Sequence, residues 1–220
     1  MINSIHFTPL ANLPTPLEEL PRLAKELGLS KLLMKRDDLT GLAGGGNKAR
    51  KLEYIFAEIV RGGYDVILTA GGIQSNHARM TAAAARKLGL DIKLVLGGPD
   101  FTELQGNILL DSLFGAEIRY LVDDDANDRL TEVMEYWAME LIAQGRKPYL
   151  LPIGGSTGTG ALGYVKAMHE LSVQYPGGPA QIITGIGSCG TFAGTILGCS
   201  LYLPQAPRSS IRLLARPSYG

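Results

Sequence analysis

Lys48 has the setting in this chain that most invites chemistry. It follows Gly44-Gly45-Gly46-Asn47 and opens a helical pattern, so its ammonium group lies at the end of a helix where the backbone dipole is positive. A solvated surface lysine tolerates that placement at little cost. A lysine held against a planar ligand behaves differently: the local field lowers its pKa, and the neutral amine becomes available for Schiff-base chemistry. The flanking glycines and Asn47 suit the second setting. Arg50 and Lys51, close behind, fit phosphate or carboxylate partners better than they fit catalysis.

Two further stretches carry polar groups at helix starts. In Gly71-Gly72-Ile73-Gln74-Ser75-Asn76-His77, Ser75 is a good N-cap, and capping alone accounts for it. Gln74, Ser75 and Asn76 also bring three polar side chains and free N–H groups to one place, an arrangement suited to a substrate carboxylate, with His77 as a neighbour. In Gly185-Ile186-Gly187-Ser188-Cys189-Gly190-Thr191 the glycines match G-x-G-x-x-G. A nicotinamide site would want an acidic residue about 20 positions on, and no Asp or Glu follows Glu170. A phosphate cradle fits better, built from the N–H groups of Gly187 to Thr191 and the hydroxyls of Ser188 and Thr191. Cys189 reads as a small side chain that fits the loop. His6 and His169 show no metal spacing with His77, and Cys189 and Cys199 are too few for a zinc site or a disulfide framework, so no metal is expected.

The elements that must position these groups alternate. Short apolar runs at 31–35, 65–70, 92–96, 116–121, 149–153 and 181–185 read as strands. Between them, helical periodicity covers 47–60, 75–88, 102–113, 129–144, 160–174 and 191–197. Such alternation predicts an α/β protein with parallel sheets, whose right-handed crossovers put the strand C-terminal ends along one edge where ligands bind. The chain has 28 glycines in 220 residues, against a typical share of about 7%. Much of that excess falls in turns at this edge, where missing β-carbons let backbone approach a ligand.

Composition narrows the partners. Lys plus Arg equals Asp plus Glu, 21 against 21, so nothing in the net charge draws the chain to nucleic acid or to an anionic membrane. A small molecule is the expected partner. No window is long and apolar enough for a membrane span, there is no leader pattern at the N-terminus, and the two cysteines suit a reducing compartment. A cytoplasmic protein is expected.

These segments together resemble the pyridoxal-phosphate enzymes that include D-cysteine desulfhydrase and 1-aminocyclopropane-1-carboxylate (ACC) deaminase. The resemblance rests on Leu13-Pro14-Thr15-Pro16-Leu17, Lys35-Arg36-Asp37-Asp38-Leu39, the run from Gly45 to Glu53, the run from Gly71 to His77, Gly154-Gly155-Ser156 through Gly163-Tyr164, and the glycine loop before Thr191. It spans about Phe7 to Leu197 and fades beyond.

The resemblance implies the tryptophan synthase β-like fold (PLP fold type II), with two open parallel-sheet domains and pyridoxal 5'-phosphate between them. The small domain would be 54–156; the large domain would combine 1–53 with 157–220 and look truncated at its C-terminal side. Lys48 would form the Schiff base (aldimine), Asn47 would contact the cofactor ring, and Gly187, Ser188, Cys189, Gly190 and Thr191 would hold the phosphate. Gln74, Ser75, Asn76 and His77 would bind the substrate, Ser75 assisting proton transfer. The implied reaction is that of a lyase: α,β-elimination of D-cysteine to pyruvate, ammonia and sulfide, in a homodimer. The alternatives are ACC deamination and a non-catalytic truncated paralogue that binds a phosphate ligand or a partner through an exposed face at Ile182, Ile183, Ile196 and Leu197.

Overall fold

A computed structural model describes residues 2–98, 103–122, 126–204 and 211–215. Its centre is a four-stranded parallel sheet ordered β5-β4-β3-β6, formed by β3 (Val66–Gly72), β4 (Asp91–Gly97), β5 (Glu117–Leu121) and β6 (Pro148–Leu151). The helices between these strands are α3 (Asn76–Lys87), α4 (Gly106–Leu113) and α5 (Ala126–Ala143). Central strand β3 is buried along nearly its whole length and alternates its side chains between two cores, as the two-residue strand period requires. Ile67 joins Leu52, Ile55, Phe56 and Ile59 of α2 (Lys48–Gly62) and the alanines of α3 on one face. Val66, Leu68 and Ala70 meet Leu130, Met134, Trp137 and Leu141 of α5 on the other.

A second parallel pair, β7 (Ile182–Ile186) and β8 (Ile211–Ala215), forms a separate sheet. Against it lies an all-helix packing of α2, α6 (Gly158–Gln174) and α7 (Gly190–Tyr202), where Tyr164, Met168 and Leu171 meet Cys199 and Leu203. The helices approach at glycines. A β-carbon on Gly163 of α6 would lie 2.2 Å from the Arg50 carbonyl oxygen of α2, and one on Gly194 of α7 would lie 2.2 Å from the Ala161 carbonyl oxygen of α6.

Several sequence expectations need correction. The run at 31–35 is not part of a parallel sheet. Only Leu33–Lys35 is strand (β2), and it pairs antiparallel with β1 (Leu17–Glu19), which the periodicity missed because three residues are too few to show alternation. The short helix α1 (Pro21–Glu26) between them was missed too; Pro at its first position is the signal that marks it. Strand β6 ends at Leu151, and Ile153–Gly155 is a 3-10 turn in which Gly154 has φ +72°. Helix α4 starts at Gly106, and Thr102, where it was expected to start, lies outside the described residues. Helix α7 runs on to Tyr202. Among the described residues, no helix is long and apolar enough to cross a membrane.

The glycine contacts lead to a stability prediction. Gly194→Ala should destabilise the chain by about 1–3 kcal/mol, because its methyl group must displace backbone. Gly158→Ala, where a β-carbon meets nothing within 4 Å, should be close to neutral; urea unfolding of the two variants checks the contrast.

Candidate active site

The start of α2 faces the start of α7. Asn47, the residue before the helix, makes no side-chain cap; its Nδ2 donates to Thr191 Oγ1 at 3.1 Å, 144 positions away. Lys48 is half-buried, and loss of water lowers its pKa. One helical turn on, Lys51 is 1% exposed and donates from Nζ to the Gly154 carbonyl oxygen at 2.7 Å. Burial, then the charge on Lys48, lowers the Lys51 ammonium to about 8. Among the described residues, neither lysine is ion-paired to a carboxylate. The next residue back behaves in the opposite way: Arg50 is fully buried and bonded to Asp37, Glu170 and the Thr15 hydroxyl. Burial alone would raise the Asp37 carboxyl, but bonds from Arg50, Tyr164 and Thr15 hold it below the usual range.

The glycine loop lies against Lys51. A β-carbon on Gly190 would sit 2.8 Å from Lys51 Nζ and 3.0 Å from Ser156 Oγ, and one on Gly154 would sit 2.2 Å from Ser188 Oγ. Ser156 Oγ bonds Ser188 Oγ at 2.6 Å, tying this loop to the 3-10 turn after β6. Cys189 is exposed and adopts the left-handed conformation, φ +60°, which turns the chain into α7. Gly190 N–H is already bonded to the Ser188 carbonyl at 2.8 Å. The first-turn N–H groups of α7 that have no intrahelical acceptor point out of the helix beside Lys51.

The polar helix start after β3 completes the cluster. Ser75 caps α3, its Oγ accepting from Ala78 N at 3.2 Å. His77 is buried, and its Nε2 lies 2.9 Å from Thr69 Oγ1. Because the Thr69 hydroxyl donates to the Leu151 carbonyl at 2.8 Å, it can only accept from the ring. His77 therefore carries its proton on Nε2. That leaves Nδ1 as a buried acceptor without a partner among the described residues, and Gly155 stands beside it, the space of its absent β-carbon 3.8 Å from Nδ1. Burial, then Lys48 and Lys51, push the His77 pKa down to about 3. The Gln74 side chain turns elsewhere, bonding Gln105 O and Asn107 N near the start of α4.

The fold thus gathers Asn47, Lys48, His77, Ser188, Gly190 and Thr191 around one region, and adds Lys51, Ser156 and Thr69. Lys51 carries a sequence signal as a phosphate or carboxylate partner at i+3 from Lys48 on the same helix face, Ser156 falls in the Gly154-Gly155-Ser156 motif, and Thr69 has none. Two desolvated ammonium groups without carboxylates among the described residues, a helix start and a glycine-rich loop fit a ligand that carries both a phosphate dianion and an aldehyde. Pyridoxal phosphate carries both of those groups.

Comparison with known proteins agrees. Residues 9–215 match the family described as pyridoxal-phosphate dependent enzyme, so the likeness continues past Leu197, where the recognisable motifs stop. A D-cysteine desulfhydrase of Klebsiella pneumoniae is 44% identical over 204 residues, 90% of this chain and 61% of the relative. A Pyrococcus horikoshii protein, provisionally named 1-aminocyclopropane-1-carboxylate deaminase, is 47% identical over 190 residues, 85% of this chain and 56% of the relative. Among solved structures, an ACC deaminase homologue superposes with TM-score 0.88 at 39% identity, covering 100% of this chain and 65% of that one. A fungal L-serine ammonia-lyase from Rhizomucor miehei, at TM-score 0.74 and 20% identity over 94% of this chain and 61% of that one, shares the fold alone. The chain therefore spans a little over half the length of these curated relatives.

His77 gives a pH prediction. Its folded pKa lies below its unfolded value of about 6.5, so between the two values the unfolded chain takes up a proton that the folded chain refuses, and stability drops as pH falls through that window. His77→Gln should flatten this acid limb, narrowing the stability gap to wild type by on the order of 2 kcal/mol between pH 7 and 4.5; chemical denaturation across that range checks it. In fold and in sequence, this chain belongs to the family of pyridoxal-phosphate dependent enzymes with the tryptophan synthase β-like fold.

Proposed function

We propose that Lys48 is the attachment lysine for pyridoxal phosphate, that the loop from Gly187 to Thr191 together with Lys51 holds the phosphate, and that Asn47 borders the ring. Ser75, Asn76 and the adjoining N–H groups receive the substrate carboxylate, with His77 behind them. The small domain is 54–156, which contains the whole four-stranded sheet, and the large domain is 1–53 with 157–220. The observation that carries this reading is a pair of desolvated lysines one helical turn apart, half-buried Lys48 and buried Lys51, the second against Gly190 at the start of α7, neither ion-paired to a carboxylate among the described residues.

The bound cofactor supplies an electron sink that makes the substrate Cα–H acidic. The chain's own groups do the rest. Desolvation favours Lys48 as the neutral amine, the form that takes a proton from Cα. The Ser75 hydroxyl, already accepting from Ala78 N, keeps its proton to donate. Lys51 neutralises phosphate charge in a site where burial strengthens the attraction.

The reaction is elimination from a β-substituted amino acid: D-cysteine and water give pyruvate, ammonia and hydrogen sulfide. The name of the Klebsiella relative supports this substrate, and the names of the Pyrococcus relative and the superposed deaminase homologue support ACC as the alternative. A third reading, association without catalysis, draws on Ile183, Ile196 and Leu197, all exposed, whereas Ile182, expected with them, is half-buried against the core of α6 and α7. A homodimer is the expected assembly, and sedimentation measures it directly.

Added pyridoxal phosphate should give the visible absorbance band of a lysine-bound cofactor. Lys48→Ala should abolish the band, whereas Lys51→Ala should keep it and weaken cofactor affinity about tenfold or more. A band that survives Lys48→Ala removes Lys48 from its role. Release of ammonia and a 2-oxo acid from D-cysteine, L-cysteine or ACC then identifies the substrate, and none from any of the three overturns the catalytic reading.

A further inference from the structure

Outside the cofactor region, one polar network joins three separate loops. Arg79 in α3 donates from Nη2 to the Gly45 carbonyl oxygen at 3.1 Å, within the glycine turn that leads to Lys48. From Nη1 it donates to Asn107 Oδ1 at 2.7 Å in the first turn of α4. Asn107 Nδ2 passes the chain on to the Gln74 carbonyl at 2.7 Å and to Asn76 Oδ1 at 3.0 Å. Gln74 closes the ring by accepting Asn107 N–H at 2.8 Å, so it caps α4 from a distant loop while Gln105, at the cap position, makes no side-chain bond there. Gly106 lets it do so: a β-carbon at that residue would lie 2.5 Å from Gln74 Oε1.

The chemistry of Asn107 gives the network a direction. A side-chain amide has an acceptor end and a donor end, and each end here is committed: Oδ1 to Arg79, Nδ2 to the 74–76 loop. Through the bond to Asn76 Oδ1, Asn107 also decides which end of the Asn76 amide stays available. That end is Nδ2, a donor, which suits a carboxylate oxygen. Gln74 and Asn76 are exposed, and an exposed amide held by a single bond keeps most of its rotamer freedom. Here Gln74 is held at its carbonyl and at both ends of its amide, and Asn76, two residues on, takes its orientation from the bond given by Asn107. Burial lowers the Arg79 pKa, and the charge of Asp111, buried in α4, opposes that only in part.

We infer that Asn107 and Arg79 are positioning residues that orient the Asn76 amide and the 74–76 loop for the amino-acid carboxylate and couple that loop to the glycine turn before Lys48. Neither need touch the substrate. This rests on the proposed role of the 74–77 segment, so its test must separate the two.

The experiment uses the full chain loaded with pyridoxal phosphate, and Asn107→Ala, Asn107→Asp and Arg79→Gln. Amide hydrogen exchange of residues 74–78 in the cofactor-free chain is read first, without reference to any activity. It should quicken at least tenfold in Asn107→Ala and in Arg79→Gln, while the core of α2 keeps its protection. Asn107→Asp, which retains the acceptor for Arg79 but loses the donor, should quicken the loop as well. Amino-acid binding is then read from the spectral change of the bound cofactor on titration with D-cysteine or, if that reacts, D-alanine. The dissociation constant should rise about tenfold or more in all three variants, with the cofactor's own affinity within threefold of wild type.

Unchanged exchange at 74–78 overturns the positioning role, whatever the chain binds. Quickened exchange with unchanged amino-acid affinity also overturns it, because the loop would then move without consequence for the ligand. If wild type itself gives no spectral change with any amino acid, the carboxylate role of the 74–77 segment falls, and the exchange result alone decides whether Asn107 and Arg79 hold the loop. A parallel loss of cofactor and amino-acid affinity would show a general structural role and overturn the specific one.

Discussion

Three helices in this chain approach more closely than side chains permit, and the site depends on that approach. Gly163 puts α6 against the backbone of α2 at Arg50, and Gly194 puts α7 against the backbone of α6 at Ala161. With α6 as the common neighbour, the first turns of α2 and α7 are brought together, and only then can Asn47 reach Thr191 or Lys51 touch the loop at Gly190. A single methyl group at either crossing would force the backbones apart. Protein interiors, packed as densely as crystals, have little slack to absorb that.

The same packing sorts the charges of α2. Successive residues of a helix point about 100° apart, so Arg50 and Lys51 face different neighbours. Arg50 enters a buried hub with Asp37, Glu170 and Tyr164, where each charge has a partner. Lys51 meets a carbonyl and a glycine, and among the described residues Lys48 has no carboxylate partner. A buried charge is tolerable when paired and costly when not, so the hub stabilises the join between the N-terminal segment and α6, while the unpaired lysines give up part of their proton affinity. Stability and reactivity come from adjacent residues of one helix.

Much of the site was legible from local sequence. The glycine run before Lys48, the capping serine before α3 and the glycine loop before α7 each mark a strand or turn leading into a helix, and backbone sterics tie those residue types to those positions. The long helices and the four central strands were legible for the same kind of reason, since apolar periodicity reports a buried face. Strand β1 was not, because three residues show no period, and β2, read as a strand at 31–35, gave no sign of its antiparallel pairing, which depends on a segment sixteen positions away. Gln74 misled as well: its place beside Ser75 suggested a ligand contact, but its amide caps α4, a partner more than thirty positions on.

The sequence by itself determined which residues could do chemistry: a lysine at a helix start, hydroxyls and amides at two others, and glycine-rich loops beside them. Tertiary structure alone decided which of them lack counter-charges, which hydrogen bonds are already made and which nitrogen of His77 is bare. The physical reason is that pKa and hydrogen-bond commitment depend on everything within a few ångströms, and those neighbours come from segments up to 144 residues apart.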